Sequence, residues 1–309
     1  MAKNSFLTAL LVCMAVLGAE AQTNKVYKAD TVIDGNGNKI ITLYTQGTFV
    51  EGNGNVITRD YNVAAFNEIS LVLPATVNYT VADNYSCHVT LDENLFEYLD
   101  IQVKHDCLNL KLDKRFDNIN LKPTKFVIEI TAPTIEEINL VGSGDFVLVT
   151  PFEAEKLKIK TAGSGDVVFE ETVNVQRLEM SMAGSGDAIF TETATFHEFK
   201  MSIAGSGQLK CKHLIADHAN LSVAGSGDME IESGTVKSAD ISVAGTGSVE
   251  TRCELESMDY NIPGWGSIYY YGDVKVKGTT MCGQIKRIDS ENVKSKKNCC
   301  DEKQKKNKH

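Results

Sequence analysis

Gly142-Ser143-Gly144-Asp145 recurs as Gly163-Ser164-Gly165-Asp166, Gly184-Ser185-Gly186-Asp187 and Gly205-Ser206-Gly207-Gln208, then as Gly225-Ser226-Gly227-Asp228, Gly245-Thr246-Gly247-Ser248 and Gly264-Trp265-Gly266-Ser267. The first glycines stand at positions 142, 163, 184, 205, 225, 245 and 264, so the spacing shortens only slightly along the chain. A fixed period of about 20 residues marks stacked structural units. Met281-Cys282-Gly283-Gln284 reads as a worn-down further copy, the atypical form expected of a terminal unit.

Around each corner the side chains alternate. Leu178, Met180 and Met182 are interleaved with Glu179 and Ser181, and Phe199, Met201 and Ile203 with Lys200 and Ser202. The alternation resumes beyond the corner in Val167 and Phe169, Ala188 and Phe190, Leu209 and Cys211. A period of two is the signature of a strand with one buried side. Each unit therefore reads as two short strands joined by a Gly-Ser-Gly corner and followed by a brief polar connection such as Glu170-Glu171-Thr172. One unit cannot bury its apolar side alone, and the connections are too short for crossover helices. The fold that closes such a core is a right-handed parallel β-helix, each coil about 4.8 Å above the last. The glycines fit that geometry, since a corner repeated in register needs positive φ or close backbone approach.

The repeats are flanked by other signals. Lys3, the apolar run Phe6 to Leu17 and Ala19-Glu20-Ala21 have the form of a secretory signal over residues 1–21, with Cys13 inside it, so the mature chain is expected to begin at Gln22 and to be soluble. The chain that follows the signal is long enough to bury a core without disulfide staples. Residues 22–50 read as an arm, 51–133 as imperfect coils and 134–290 as regular ones. Strand patterns precede the repeats at 68–73, 76–81, 99–103, 108–112 and 126–130, with a helical turn expected near Glu93 to Tyr98. Seven cysteines remain after the signal (Cys87, Cys107, Cys211, Cys253, Cys282, Cys299 and Cys300), and the preferred pair is Cys87 with Cys107.

The charge is −10, but the basic tail at 291–309 carries seven lysines against Asp301 and Glu302 from Lys294 onward, which leaves about −15 on the body. An acidic body argues against a nucleic-acid partner. The tail's composition predicts a solvated end.

Beyond the repeats, Gly52-Asn53-Gly54-Asn55-Val56-Ile57-Thr58-Arg59, Phe66-Asn67-Glu68-Ile69, Asp92-Glu93-Asn94-Leu95, Thr131-Ala132-Pro133 and Ile268-Tyr269-Tyr270-Tyr271-Gly272 occur in order. With them, residues 50 to 288 resemble the head GIN domain family of proposed auto-transporter adhesins. The resemblance implies an exported β-helical protein of Bacteroidetes-type envelopes, at the periplasm, outer-membrane surface or beyond, with adhesion as its role. The sequence departs from the pattern at Trp265 and at Cys282-Gly283-Gln284.

Chemistry is sparse. Asp145, Asp166, Asp187 and Asp228 form a row after the corners, interrupted by Gln208 and Ser248. Stacked carboxylates repel unless a hydrogen bond, solvent or a cation intervenes. They read first as caps of their own turns, and second as a candidate ligand ladder. Calcium would need six to eight oxygens, and no cofactor or metal is expected. Gly-Ser-Gly is not a nucleophile elbow, and His197, His213 and His218 have no evident constant partner, so no catalytic residues are expected. Lys158, Lys160, Ser181, Lys200, Ser202, Asn220, Ser222, Ser242 and Asn261 would line one outward face suited to a surface glycan or a protein, and Tyr269 to Tyr271 add aromatic area. Trp265 is expected first to cover the end of the stack and second to present a contact. The alternatives are a polysaccharide lyase or hydrolase, for which fold analogy is the warrant, and a scaffold without ligand.

Overall fold

The computed structural model describes residues 27–33, 39–45, 48–116 and 119–288. The expected signal sequence and basic tail, with Cys13, Cys299 and Cys300, lie outside them. The described chain is a β-solenoid of about seven turns with coils about 21 residues apart.

The repeat region runs through β12 (Glu137–Gly142), β13 (Asp145–Leu148), β14 (Phe152–Gly163), β15 (Val167–Phe169), β16 (Val173–Gly184), β17 (Ala188–Gly205) and β18 (Gln208–Gly225). It continues through β19 (Asp228–Ile231), β20 (Gly234–Gly245), β21 (Ser248–Thr251), β22 (Glu254–Ile262), β23 (Ser267–Tyr271), β24 (Lys275–Thr280) and β25 (Gln284–Ile288). Every pairing among these strands is parallel and joins equivalent residues of adjacent coils: Gly163 lies against Gly184, Gly184 against Gly205, and Gly205 against Gly225.

The coil has three walls where the alternation around the corner predicts two. The longer strands bend at Glu155, Gln176, His197, Asp217 and Lys237, positions that the register skips. Before the bend lie Phe152, Val173 and Val175, Ala194 and Phe196, Leu214 and Ala216, whose side chains are buried. Two inward residues per coil are too few to show as an amphipathic stretch, so the segment reads as a connection. Together the three walls enclose a column of apolar side chains. Phe169 and Phe190 stack across adjacent coils with centroids 4.4 Å apart and planes 4° from parallel, and Phe196 stacks on Phe199 at 4.9 Å. In-register parallel strands place like on like, which is how Phe169 comes to stack on Phe190, whereas Phe196 and Phe199 belong to one coil and meet across its bend.

The N-terminal half departs from a simple coil-upon-coil stack. β1 (Tyr27–Ile33) and β2 (Lys39–Thr45) form an antiparallel pair. β3 (Thr48–Glu51), which crosses the boundary expected at residue 50, runs parallel to β10 (Ile119–Lys122). β4 (Val56–Tyr61), β5 (Glu68–Leu71), β6 (Thr76–Val81), β7 (Ser86–Asp92), β8 (Leu99–Lys104), β9 (Cys107–Leu112) and β11 (Phe126–Ala132) build the end of the solenoid. The coil of β5 and β6 lies directly against β12 and β13, although β7 to β11 all intervene in sequence. Beyond it, one wall ends in the parallel β9 followed by the antiparallel β8, and another in β11 followed by the antiparallel β7 and β4. Reversing strand direction ends the repeat that would otherwise offer the next coil a template. Residues 93–98 form the expected helical turn, of the 3-10 type.

The first coil shows when the corner needs glycine. In register, Leu73-Pro74-Ala75-Thr76 takes the place of Gly142-Ser143-Gly144-Asp145. At the stacked corners a Cβ on Gly186 would overlap the carbonyl oxygen of Gly165, and Gly184 combines φ of 135° with the same conflict against Gly163. The corner with no Gly-Ser-Gly copy beneath it carries proline and alanine.

Two expectations fail here. Cys87 and Cys107 are both free thiols. Cys87 faces the interior of β7, between β4 and β11, where burial pushes its thiol up to about 12. Cys107 opens β9, between Lys104 and Glu68, so no ladder brings the two together. Trp265 does not cover the end of the stack: it is 72% exposed at the corner, while Ile262 and Ile268 fill the interior around it.

Candidate binding face

The corner aspartates bind upward, coil to coil. Asp145 Oδ1 accepts from the Asp166 amide at 3.0 Å, Asp166 Oδ1 from the Asp187 amide at 2.8 Å, and Asp187 Oδ1 from the Gln208 amide at 3.0 Å. Asp228 Oδ1 accepts from both the amide (2.8 Å) and the hydroxyl (2.7 Å) of Ser248. The expectation that each aspartate caps its own turn is therefore corrected, because its acceptor oxygen serves the neighbouring coil. Where Gln208 or Ser248 interrupts the row, the next amide turns to a glycine carbonyl instead, Asp228 N–H to Gly207 at 3.3 Å and Ser267 N–H to Gly247 at 3.1 Å. The second aspartate oxygens make no hydrogen bond to the described chain. Among the described residues no group of three or more His, Cys, Asp or Glu side chains is arranged to hold a metal ion.

These bonds between coils contribute to stability. Asp187→Ala should cost about 1–2 kcal/mol, the low end for a charged acceptor because solvent reaches the corner, whereas Asp187→Asn keeps the oxygen and should cost much less. Chemical denaturation checks the difference, and hydrogen exchange should show the Gln208 amide released in the alanine variant alone.

On the wall before the corner, the outward residues stand in two ladders. One runs Asn139, Lys160, Ser181, Ser202, Ser222, Ser242, Asn261, and the other Glu137, Lys158, Glu179, Lys200, Asn220, Asp240. The nine residues expected on one face are thus together. Two of its lysines are engaged: Lys160 Nζ donates to Glu137 Oε1 at 2.7 Å, and Lys200 Nζ to Glu179 Oε1 at 2.8 Å. These partners hold the Glu137 and Glu179 carboxyls below the ordinary range. For Glu137 burial opposes the shift, and for Glu179 the Lys200 hydrogen bond is the leading cause.

The wall after the corner is different. Its outward ladder is Val147, Val168, Ile189, Lys210, Glu230, Glu250, Tyr269. Between this ladder and the corner residues Gln208, Asp228 and Ser248 lies a shallow groove of about 190 Å³, with Leu209 and Met229 beneath it. Glu250 is held by Arg252 at 2.6 Å, while Lys210 and Glu230 make no ion pair among the described residues. No local pattern in the sequence announces this groove, because its two edges come from different ladders on three coils.

The histidines do have partners, one coil away in each case. His197 Nδ1 meets Asp217 Oδ2, and Lys237 Nζ pairs with Oδ1 of the same carboxylate; His213 Nδ1 lies 2.9 Å from Ser233 Oγ, and His218 Nδ1 2.9 Å from Ser238 Oγ. Partners a full coil apart in sequence are invisible to a search for local motifs.

At the opposite end, Asp92 is a buried charge. Its Oδ1 accepts from the Gly54 amide and the Thr124 hydroxyl, both at 2.8 Å, and its Oδ2 from the Thr124 amide at 2.7 Å. Burial favours the neutral acid, but the hydrogen bonds from Thr124 and Gly54 together prevail and hold the carboxyl below its ordinary 3.8. A depressed value in the folded state means that this stabilisation is complete above 3.8 and is lost as pH falls through the folded value. Hydrogen exchange at Gly54 and Thr124 should therefore show protection well above pH 3.8 that disappears as the carboxyl is protonated. Asp92→Asn keeps one acceptor oxygen, so it should leave at most one of these two amides protected, and that protection should not change across this pH range.

These features define a parallel β-solenoid with a reversed-strand cap and a ladder-lined outer face. The family described as "Putative auto-transporter adhesin, head GIN domain" matches residues 65–255, and the chain belongs to it. Three solved structures share the fold. A "Putative lipid binding protein" from Parabacteroides distasonis is 31% identical with a TM-score of 0.73, over 78% of this chain and all of that one. A "putative adhesin" from Parabacteroides merdae is 22% identical with a TM-score of 0.69, and another from Parabacteroides distasonis is 23% identical with a TM-score of 0.68. Each covers 78% of this chain and 100% of its own. No curated protein sequence matches the chain. Among the described residues, no helix is long and apolar enough to cross a membrane.

Proposed function

We propose that this protein is an exported, non-catalytic binding module of the cell envelope, and that its ligand, a surface glycan or protein, docks on the wall that follows the corners. The observation that carries this reading is the groove itself, in which Gln208, Asp228 and Ser248 on one side and Lys210, Glu230 and Glu250 on the other present hydrogen-bonding groups on three successive coils. Asp145, Asp166 and Asp187 extend the same row toward the N-terminal end with one carboxylate oxygen each to offer. An adhesin gains from repetition, since weak contacts on adjacent coils add along an extended ligand.

A glycan array, run beside an array of envelope and host surface proteins, tests the proposal. Binding that weakens when Asp228, Glu230 and Glu250 are neutralised together is the expected result. Binding of nothing on either array would favour a scaffold without ligand, and new unsaturated ends released from an acidic polysaccharide would favour a lyase. Added protease should cleave the protein on intact cells if it is displayed at the surface.

A second reading has its own observation. Val147, Val168 and Ile189 form an outward apolar row on the same wall, and the Parabacteroides distasonis relative is named for lipid binding. Vesicle flotation would detect such a role. Replacing all three by serine should abolish it.

A further inference from the structure

Resting on the binding reading above, we propose that the groove takes a neutral saccharide chain, with Tyr269 as the platform on which a sugar ring stacks and Trp265 as a second contact at the adjoining corner. In register, Tyr269 lies directly against Glu250 and Ser267 against Ser248, so the strand next to the groove on its C-terminal side, just beyond its lining, adds an aromatic ring where earlier coils carry Lys210, Glu230 and Glu250. Trp265 stands two residues before Ser267, at the corner where the preceding coils carry Ser226 and Thr246, and it is 72% exposed. An exposed tryptophan beside a polar groove offers a face to the apolar side of a pyranose ring. Carboxylates, an amide, a hydroxyl and an ammonium offer partners for its hydroxyls.

Three observations narrow the ligand class. The groove, at about 190 Å³, is below the roughly 300–1,000 Å³ of sites that enclose a whole small molecule, so it grips part of an extended one. The strands beneath it are hydrogen-bonded on both sides, which leaves no open edge for a peptide to add a strand. Asp228, Glu230 and the Arg252-paired Glu250 outweigh Lys210 on a body of about −15, which repels uronic-acid and sulfated chains.

Trp265 is the single tryptophan of the 309 residues, so its emission reports on this site alone. The protein would be titrated with hexamers of N-acetylglucosamine, of mannose and of β-1,3-linked glucose, and with heparin and polygalacturonate, following fluorescence and, for the variants, calorimetry. The expected result is a blue shift with at least one neutral hexamer and none with the acidic polymers. Affinity should fall about tenfold or more in Tyr269→Ala and several-fold in Glu230→Gln, with circular dichroism unchanged. A neutral hexamer that binds Tyr269→Ala as tightly as the parent would place the site elsewhere and overturn the proposal. Binding of heparin or polygalacturonate alone would overturn the neutral class of saccharide, and binding of a protein alone on the arrays would overturn the saccharide itself, both while leaving the binding reading intact. No binding on any array would remove both.

Discussion

Phe190→Ala should lower the unfolding free energy by about 3–5 kcal/mol, the range for emptying a buried aromatic site. Phe190 is the hub of the core. Its ring stacks on Phe169 at 4.4 Å and meets Phe196 and Phe199 edge-on at 6.1 and 6.3 Å, so its removal undercuts contacts among all three walls of its own coil and with one wall of the coil before it. A parallel solenoid cannot close the hole by sliding a strand, because register is held on both sides by neighbouring coils. Phe190→Leu should recover more than half of the loss. Urea denaturation followed by circular dichroism measures both, and a loss below about 1 kcal/mol for the alanine variant would show that the aromatic stack is not a structural centre.

The second large effect is expected at a residue with no side chain. Gly184→Ala should cost about 2–6 kcal/mol, roughly 1–3 from holding an L residue at an unfavourable φ and roughly 1–3 from the overlap of its Cβ with the Gly163 carbonyl. The observed φ is 135°, and the neighbouring coil leaves no room for the methyl to move away. Gly272→Ala is the control. Its φ is also positive, at 89°, but no atom lies within 4 Å of the added Cβ, so it should show the backbone part alone. If Gly184→Ala fails to accumulate while Gly272→Ala folds with only the backbone part of the loss, the stacked corner is the cause. Equal melting temperatures for the two would refute the close-approach argument.

Such corners also explain what could be read without a structure. The glycine period requires equal units, and the alternation around it assigns inside and outside correctly on two walls: Leu178, Met180 and Met182 are buried, as are Val167, Phe169, Ala188 and Phe190. The third wall escaped because its inward pairs, such as Val173 and Val175, are short and flanked by charge. β7 escaped for another reason. Its alternation of Cys87, Val89 and Leu91 is clear, but an alternating strand carries no mark of its direction or of its neighbours. The same limit hid the groove, the partners of the histidines and the role of Asp92, all of which join residues a coil or more apart in sequence.

What the residues determine by themselves is therefore local and periodic: strand, corner, inward face and the need to stack. They do so because a missing Cβ and a two-residue alternation act within one coil and repeat identically in the next. The tertiary structure alone decided that the coil of Glu68–Leu71 and Thr76–Val81 joins the repeats directly while β7 and β8, among the intervening strands, reverse to seal the end. It also decided which outward ladders meet at a groove. Those choices depend on which edges remain unpaired once the coils are stacked, a property of the assembled stack that no single segment carries.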